Sequence, residues 1–228
     1  FGWFIPDSLG QLNYQSLIDL FPKGQENFED VWDIIALEDR LFFRTSRKIY
    51  QFVNNKIRVY ILEDDLLFMG QVGEEVWVQD NAGNLVKYYD DQFVPVLDSK
   101  LEIGIITGIV PFDKDRYLIS TLKKGLFVFN GKSIERFETS LNTYLKQNRI
   151  TCLRRSNHSA EILLGTMLGG AITMDFEGRA IRLFNKSVGL QNNNINSAFF
   201  DQSDNLWLGL SNGIDYIELN SPFTLIHP

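Results

Sequence analysis

Cysteine and histidine are scarce in this sequence, and each shortage excludes a class of site. A single cysteine, Cys152, excludes a framework of internal disulfides and any metal cluster held by several thiolates. The sequence has only two histidines, His158 and His227, so a histidine metal site or general base is not expected. We therefore predict no catalytic residue, no metal and no cofactor. Cys152 is interpreted as a buried small apolar residue and both histidines as surface residues.

Long apolar runs and an excess of positive charge are also missing. The stretch Ile103–Val110 is far shorter than the ~20 residues that a membrane span needs. With 29 acidic and 22 basic residues the net charge is −7, so direct contact with nucleic acid is not expected of this segment. Any membrane contact is expected through other parts of the protein. Because the chain opens at Phe1 without Met or a leader, we interpret it as an excised segment.

A repeated apolar triplet organises what is present. It begins at positions 41, 76, 117, 162 and 206, so the unit recurs every 35 to 45 residues. The five copies are Leu41-Phe42-Phe43, Val76-Trp77-Val78, Tyr117-Leu118-Ile119, Ile162-Leu163-Leu164 and Leu206-Trp207-Leu208. Each is followed by a short turn and a second apolar segment, which predicts a hairpin, and further strand-like segments lie on both sides. Four short strands per unit are typical of a β-propeller blade, whose two apolar faces are buried only between neighbours.

The fold class is therefore predicted to be all-β: an incomplete β-propeller of about five four-stranded blades plus a half blade, part of a seven-bladed ring. The chain is treated as one propeller segment, 1–228, with blade boundaries near 1–20, 28–62, 65–98, 104–138, 149–185 and 194–228. Ser221–Ile226 is expected to supply the last fourth strand, and Ser140–Gln147 a turn or 3₁₀ segment. Trp77 and Trp207 share one strand position, which predicts core packing for both. The acidic turns Asp64-Asp65, Asp90-Asp91 and 201–205 are interpreted as hairpin or solvated turns instead of calcium ligands.

The last repeat resembles the two-component regulator propeller repeat. That repeat has a GL-x-x-N-x-I lead-in, a D-x-x-G-N-L-W-I-G-T hairpin and a later turn glycine. The matching residues are Gly189, Leu190, Asn194 and Ile195 in the lead-in, Asp201, Asn205, Leu206, Trp207, Leu208 and Gly209 in the hairpin, and Gly213 in the turn. Asp204 stands in place of the usual glycine and Leu210 in place of the usual threonine.

The resemblance implies a periplasmic sensor region of a bacterial membrane-bound regulator. In such proteins a triple-tyrosine β-sandwich module commonly follows the propeller, then a membrane helix and a cytoplasmic output part. The output part is a histidine kinase or a helix-turn-helix DNA-binding module. Members with known signals respond to glycan fragments, so the resemblance implies an oligosaccharide ligand and the downstream β-sandwich module as a partner.

Basic and aromatic residues near the loops of one propeller face are the candidate ligand site. They are Trp32, Arg47, Lys48, Lys123, Lys124 and Tyr144. In an acidic chain they would form a comparatively basic face, suited to an acidic sugar or an acidic partner surface. Lysines scattered for solubility are the alternative interpretation, as is packing of Trp32 between blades.

Three functions stay open at this stage. The favoured one is ligand binding without catalysis by a sensor domain. The second is a protein assembly scaffold, with a homodimer across uncovered blade faces. The third is a propeller lyase or hydrolase, which would need acids and histidines that converge on one face.

Overall fold

The computed structural model describes residues 1–27 and 29–219. They form strands, one short α-helix and two 3₁₀ turns, Ile18–Leu20 and Lys186–Val188. The chain divides into two compact units, Phe1–Lys100 and the chain from Leu101 onward. The fourth strand predicted at Ser221–Ile226 lies outside the described residues.

The first unit contains a two-stranded hairpin and two four-stranded antiparallel sheets. The opening hairpin pairs β1 (Gly2–Pro6) with β2 (Leu12–Ser16). Blade 1 consists of β3 (Asp33–Leu37), β4 (Arg40–Arg44), β5 (Lys48–Val53) and β6 (Lys56–Ile61). Blade 2 consists of β7 (Leu66–Val72), β8 (Glu75–Asp80), β9 (Leu85–Tyr89) and β10 (Gln92–Pro95).

The second unit contains two four-stranded sheets and one sheet with three described strands. Blade 3 consists of β11 (Ile106–Pro111), β12 (Tyr117–Thr121), β13 (Gly125–Phe129) and β14 (Ile134–Phe137). Blade 4 follows α1 (Asn142–Asn148) and consists of β15 (Ile150–Arg155), β16 (Ile162–Thr166), β17 (Ala171–Met174) and β18 (Ala180–Phe184). Blade 5 consists of β19 (Ile195–Phe200), β20 (Leu206–Leu210) and β21 (Gly213–Ile217).

Neighbouring blades within each unit meet through their first strands, as in a propeller. In the first unit β3 contacts β7, and in the second unit β15 contacts both β11 and β19. Successive residues of a strand point to opposite faces, so each strand serves two cores. Phe42 packs toward blade 2 beside Met69, whereas Phe43 packs toward the opening hairpin beside Tyr50. The predicted all-β blade architecture is confirmed.

The segment predicted as a turn or 3₁₀ element is instead α-helical, over Asn142–Asn148. Leu141 and Leu145 lie four positions apart and therefore on the same side of the helix. Both are buried in the core shared by blades 3 and 4. Burial of this apolar pair stabilises a helix too short to form alone.

The two tryptophans on equivalent strands differ in burial, so the prediction of core packing for Trp207 is wrong. Trp77 is 4% exposed, whereas Trp207 is 43% exposed and stacks on Tyr216 with ring centroids 4.7 Å apart. Trp207 points to the face of blade 5 that lies away from blade 4. Its burial depends on a covering sheet, which the strand pattern does not specify.

Candidate functional site

Three of the predicted ligand residues lie near the β4–β5 turn of blade 1: Trp32, Arg47 and Lys48. The Trp32 side chain is 63% exposed, so it does not pack between blades. Arg47 Nε donates to Asp65 Oδ1 at 2.9 Å. Lys48 Nζ donates to Gln25 Oε1 at 2.8 Å. The guanidinium and the ammonium groups of this turn are therefore already engaged within the chain.

The other three predicted residues lie in the second unit. Lys123 and Lys124 occupy the β12–β13 turn; Lys123 is exposed, and Lys124 Nζ donates to the carbonyl of Glu102 at 2.5 Å. Tyr144 lies on α1, half-buried, and its hydroxyl donates to the carbonyl of Gly169 at 2.9 Å. Burial raises the pKa of Tyr144, so the group remains a neutral hydroxyl.

Three of the six residues thus lie in each unit, and in the second unit Tyr144 contacts the β16–β17 turn of blade 4, whereas the two lysines lie in the β12–β13 turn of blade 3. Three of the four cationic side chains hold an acceptor from their own chain. A ligand that bound them would have to share or displace those acceptors. The ligand-binding role predicted for these six residues from the sequence stays a prediction.

A cavity of about 870 Å³ opens between the outer strands of blades 1 and 2 in the first unit. This volume lies within the range of about 300–1,000 Å³ that is usual for small-molecule sites. β6 forms one wall, β9 and β10 form the other, and residues 97–100 also line the cavity. The lining residues are Val59, Tyr60, Ile61, Leu62, Glu63, Asp80, Asn84, Leu85, Val86, Asp91, Gln92, Phe93, Pro95, Leu97, Asp98, Ser99 and Lys100.

Two half-buried aromatic rings line this cavity and are held edge to face. The ring centroids of Tyr60 and Phe93 lie 5.3 Å apart at an interplanar angle of 83°. Tyr88 packs behind them, with its centroid 6.0 Å from Tyr60 and 5.6 Å from Phe93. Edge-to-face packing of this kind fixes the rings in place. The cavity therefore has an ordered apolar surface before any ligand enters.

A chain of hydrogen bonds ties the same wall to a carboxylate. The Tyr60 hydroxyl donates to Gln51 Oε1 (3.0 Å), and Gln51 Nε2 donates to the Tyr88 hydroxyl (2.7 Å). The Tyr88 hydroxyl donates in turn to Asp91 Oδ1 at 2.6 Å, and Arg58 pairs with Asp91 Oδ2. Burial raises the pKa of Tyr88, and the hydrogen bonds from Tyr88 and Arg58 lower the pKa of Asp91. The pair is thus a phenol that donates to a carboxylate.

Acidic groups outnumber basic ones around this cavity. Its charged lining residues are Glu63, Asp80, Asp91 and Asp98 against Lys100. Opposite charge attracts and like charge repels a ligand in a cleft of this kind. The cavity is accordingly suited to a neutral or positively charged ligand that offers hydroxyl or amino donors, and is unfavourable for an anion.

Sequence reasoning missed this cavity. The prediction that Asp91 is an exposed turn residue is confirmed, and its carboxylate also accepts from Tyr88 and lines the cavity. The outer strands of both blades could be located from the sequence, and Tyr60 and Phe93 lie on them. The distance between Tyr60 and Phe93 depends on the angle between two neighbouring sheets, and the sequence repeat does not specify that angle.

Among residues 101–219, Ser156, His158 and Asp204 do not form a nucleophile and a base. Ser156 and Asp204 are hydrogen-bonded, but the ring of His158 contacts the carbonyl of Gln202 through Nε2 at 3.1 Å. Cys152 is 3% exposed, and its burial raises the pKa of its thiol, which disfavours the reactive thiolate. The prediction that Cys152 is a buried apolar residue is confirmed.

Residues 1–27 and 29–219 hold no candidate for a metal site or for a membrane-crossing helix. No group of three or more histidine, cysteine, aspartate and glutamate side chains in this part of the chain is arranged to hold a metal ion. No helix there is both long and apolar enough to cross a bilayer.

Comparison with known proteins finds similarity in solved structures alone. No protein-family model and no curated protein matches the chain. The extracellular domain of the one-component system BT4673 from B. thetaiotaomicron superposes with a TM-score of 0.67 at 19% identity, over 91% of this chain and 29% of that one. The extracellular domain of the hybrid two-component system BT3049 of the same organism gives 0.65 at 17% identity, over 83% and 28%.

A third solved structure has a different biological setting. PorZ of Porphyromonas gingivalis, a bacterial surface component of the type-IX secretion system, superposes with a TM-score of 0.54 at 10% identity, over 82% of this chain and 38% of that one. The chain thus spans less than two fifths of each of these structures. At such identities the likeness concerns the fold, and it agrees with the resemblance drawn from Gly189–Leu219. The chain has the β-propeller fold of these bacterial extracellular domains.

Proposed function

We propose that this chain is a ligand-binding propeller segment from the periplasmic part of a bacterial membrane-bound regulator, and that it binds without catalysing a reaction. The observation that carries this proposal is the shared fold with extracellular domains of one-component and hybrid two-component systems, over 91% of the chain in the first case. Fold alone does not specify function, so the ligand has to be argued from a site.

The proposed ligand is an oligosaccharide fragment that binds in the cavity between blades 1 and 2. The rings of Tyr60 and Phe93 offer an apolar surface on which a sugar ring can stack. Carboxylates such as Asp91 and Asp98 can accept hydrogen bonds from its hydroxyl groups. The acidic lining favours neutral or amino sugars, whereas the basic turns at Arg47, Lys48, Lys123 and Lys124 would favour acidic ones.

Signal transmission is proposed to work by population shift. A ligand that prefers one arrangement of the propeller and a downstream β-sandwich module stabilises that arrangement by its difference in affinity. The arrangement would then set the activity of a histidine kinase or a helix-turn-helix output module. This step rests on the likeness to regulators and on the resemblance of the last repeat.

A thermal-shift screen of the protein's entire extracellular part tests the proposal. The panel contains neutral, amine-bearing and uronic acid oligosaccharides, and a bound class raises the melting temperature. We expect neutral or amine-bearing fragments to stabilise, and Asp98→Asn to weaken binding about tenfold through loss of a charge-assisted hydrogen bond. Asp64→Asn, an exposed acid outside the cavity lining, is the matched control.

Three outcomes would redirect the proposal. Stabilisation by uronic acids alone, abolished by Lys123→Ala with Lys124→Ala, would move the site to the basic turns. Shortening of any oligosaccharide by the purified protein would support the lyase or hydrolase. No stabilisation by any sugar would overturn ligand sensing of this class.

A scaffold function is the second candidate, because the fold is also shared with a surface component of a secretion system. In that case the propeller would hold a partner protein constitutively. Failure of the whole sugar panel together with a stable dimer in analytical ultracentrifugation would favour it.

A further inference from the structure

Arg47 and Asp65 show how the loops of neighbouring blades are joined in the first unit. Arg47 lies in the β4–β5 turn of blade 1, and Asp65 directly precedes β7 of blade 2. Arg47 Nε donates to Asp65 Oδ1 at 2.9 Å, so a cation of one blade is neutralised by a carboxylate of the next. Equivalent loop positions recur in the blades of a repeat fold, so the corresponding pair between blades 3 and 4 follows from the strand register.

Lys123 in the second unit takes the position of Arg47. The hydroxyl groups of Thr45 and Thr121 each accept a hydrogen bond from the amide three residues later, at 3.2 and 3.1 Å. Arg47 and Lys123 both lie two residues after this threonine. The two turns therefore begin in the same way, and blade 3 presents an ammonium group where blade 1 presents a guanidinium group.

Arg149 in the second unit takes the position of Asp65, because each residue directly precedes the first strand of its blade. The carbonyl of Asp65 accepts from the amide of Asn81, the residue after β8, at 2.7 Å. The carbonyl of Arg149 accepts from the amide of Met167, the residue after β16, at 2.9 Å. Lys123 and Arg149 are both exposed, and no carboxylate in the described part of the chain pairs with either. Blades 3 and 4 thus carry two cations at the positions of an ion pair.

The backbone of Arg149 adopts a conformation that favours glycine. Its φ is 58° and its ψ is 113° where α1 ends. The amide of Arg149 donates to the carbonyl of Leu145 at 3.0 Å, and the hydroxyl of Tyr144 ties the helix to the carbonyl of Gly169 in the β16–β17 turn. A side chain is disfavoured at positive φ, and residues held there against strain are concentrated at functional sites. A cation needed only for solubility does not require such a position.

We propose that Lys123 and Arg149 together bind the carboxylate of a small acidic ligand, which takes the place that Asp65 holds beside Arg47. An ammonium and a guanidinium group form charge-assisted hydrogen bonds with a carboxylate. Lys146, one helical turn before Arg149 and also exposed, adds positive charge nearby. The site lies in the second unit and takes the charge opposite to that favoured by the acidic cavity of the first unit, so it does not rest on the function proposed for that cavity.

Calorimetric titration of the complete natural protein with glucuronate tests the proposal. Glucose is the matched sugar without a carboxylate, and glutamate is a carboxylate outside a sugar. We expect Lys123→Ala and Arg149→Gly each to weaken glucuronate binding about tenfold, through loss of a charge-assisted hydrogen bond, and to leave any binding of glucose unchanged. Lys132→Ala, which removes an exposed lysine from the β13–β14 turn of the same blade, is the control of equal charge. Binding of either carboxylate supports the proposal, and their ratio identifies the source as a sugar or a simple acid.

Thermal unfolding separates a binding role of Arg149 from a structural one. Glycine tolerates positive φ, so Arg149→Gly should leave the melting temperature unchanged or raise it while glucuronate binding is lost. A lower melting temperature with unchanged glucuronate affinity would overturn the proposal, because Arg149 would then serve the fold. Failure of both carboxylates to bind, or natural affinity in Lys123→Ala, would overturn it as well. Should Arg149→Gly not fold, Lys123→Ala in its exposed turn gives the decision.

Discussion

Ser156 donates its hydroxyl hydrogen bond to the carboxylate of Asp204 at 2.5 Å and so joins the β15–β16 loop of blade 4 to the β19–β20 turn of blade 5. The amides of Asn157, His158 and Ser159 donate to the same carboxylate at 3.1, 3.3 and 3.1 Å. Asp204 has φ 60°, in the left-handed region where the regulator repeat has glycine. The departure from the repeat pattern is therefore the residue that links the two loops.

Asp204→Gly should destabilise the protein on the order of 2–3 kcal/mol, because buried donors lose a charged acceptor. Glycine keeps the left-handed backbone, so the change reports the carboxylate alone. Urea denaturation gives the free energy of unfolding. Asp90→Gly is the control, since Asp90 also has positive φ (48°) but is exposed. Equal effects of the two substitutions would argue against the link.

The same carboxylate predicts a pH dependence. Burial opposes ionisation of Asp204, but the hydrogen bonds from Ser156 and the three amides outweigh it and lower its pKa below 3.8. A lowered pKa in the folded state contributes stability above the unfolded value, and this contribution is lost as pH falls through the folded value. The stability difference between the natural protein and Asp204→Gly should be constant near neutrality and shrink below pH 3.8. A difference that stays constant down to strong acid would contradict the assignment.

Two glycines with positive φ should respond differently to alanine. Gly170 (φ +92°) ends the β16–β17 turn, and an added Cβ there would collide with the carbonyl of Phe184. Gly131 (φ +87°) has open space at the same position. Gly131→Ala should cost only the left-handed backbone, about 1–2 kcal/mol, and Gly170→Ala should cost clearly more. Thermal unfolding of both variants checks the order, and equal losses would show that the collision relaxes freely.

Gln51 should be intolerant of an apolar replacement of similar length. It is 1% exposed, accepts from the Tyr60 hydroxyl and donates to the Tyr88 hydroxyl, so Gln51→Met would remove both of these hydrogen bonds from a buried site. We expect a loss of about 1–3 kcal/mol in urea denaturation. Gln71→Met is the control, because Gln71 is exposed. A loss no larger than that of the control would mean that water replaces Gln51.

The sequence predicts those parts of the fold that depend on neighbours along the chain. The hairpins at the five apolar triplets are confirmed, because alternation and turn residues act within one blade. The interpretation of 201–205 as a hairpin turn is confirmed as well, since the amide of Asp201 donates to the carbonyl of Asn205 at 3.0 Å.

Features that depend on contacts between repeats could not be predicted in the same way. Whether Trp207 is buried depends on whether another sheet covers it. The short helix depends on the packing of Leu145 against neighbouring blades, and the Asp204–Ser156 bond joins loops of two blades. The cavity is a further case, because Tyr60 and Phe93 approach each other only when two sheets pack. The aromatic and charged residues could be located from the sequence, but their pairing could not.

Adjacent residues of one strand belong to different cores, so the energetic effects of substitutions at the two positions should be nearly independent. Phe42 and Phe43 are neighbours in the chain but pack against different sheets. The ring centroids of Phe42 and Tyr88 of blade 2 are 4.9 Å apart, and those of Phe43 and Phe1 are 4.3 Å apart. Epistasis should therefore join Phe42 to Tyr88 and Phe43 to Phe1, with near-additive effects between the two phenylalanines. Compensating mutations for a damaged strand are to be sought in the adjoining sheet on the affected side, and not at the next position of the chain.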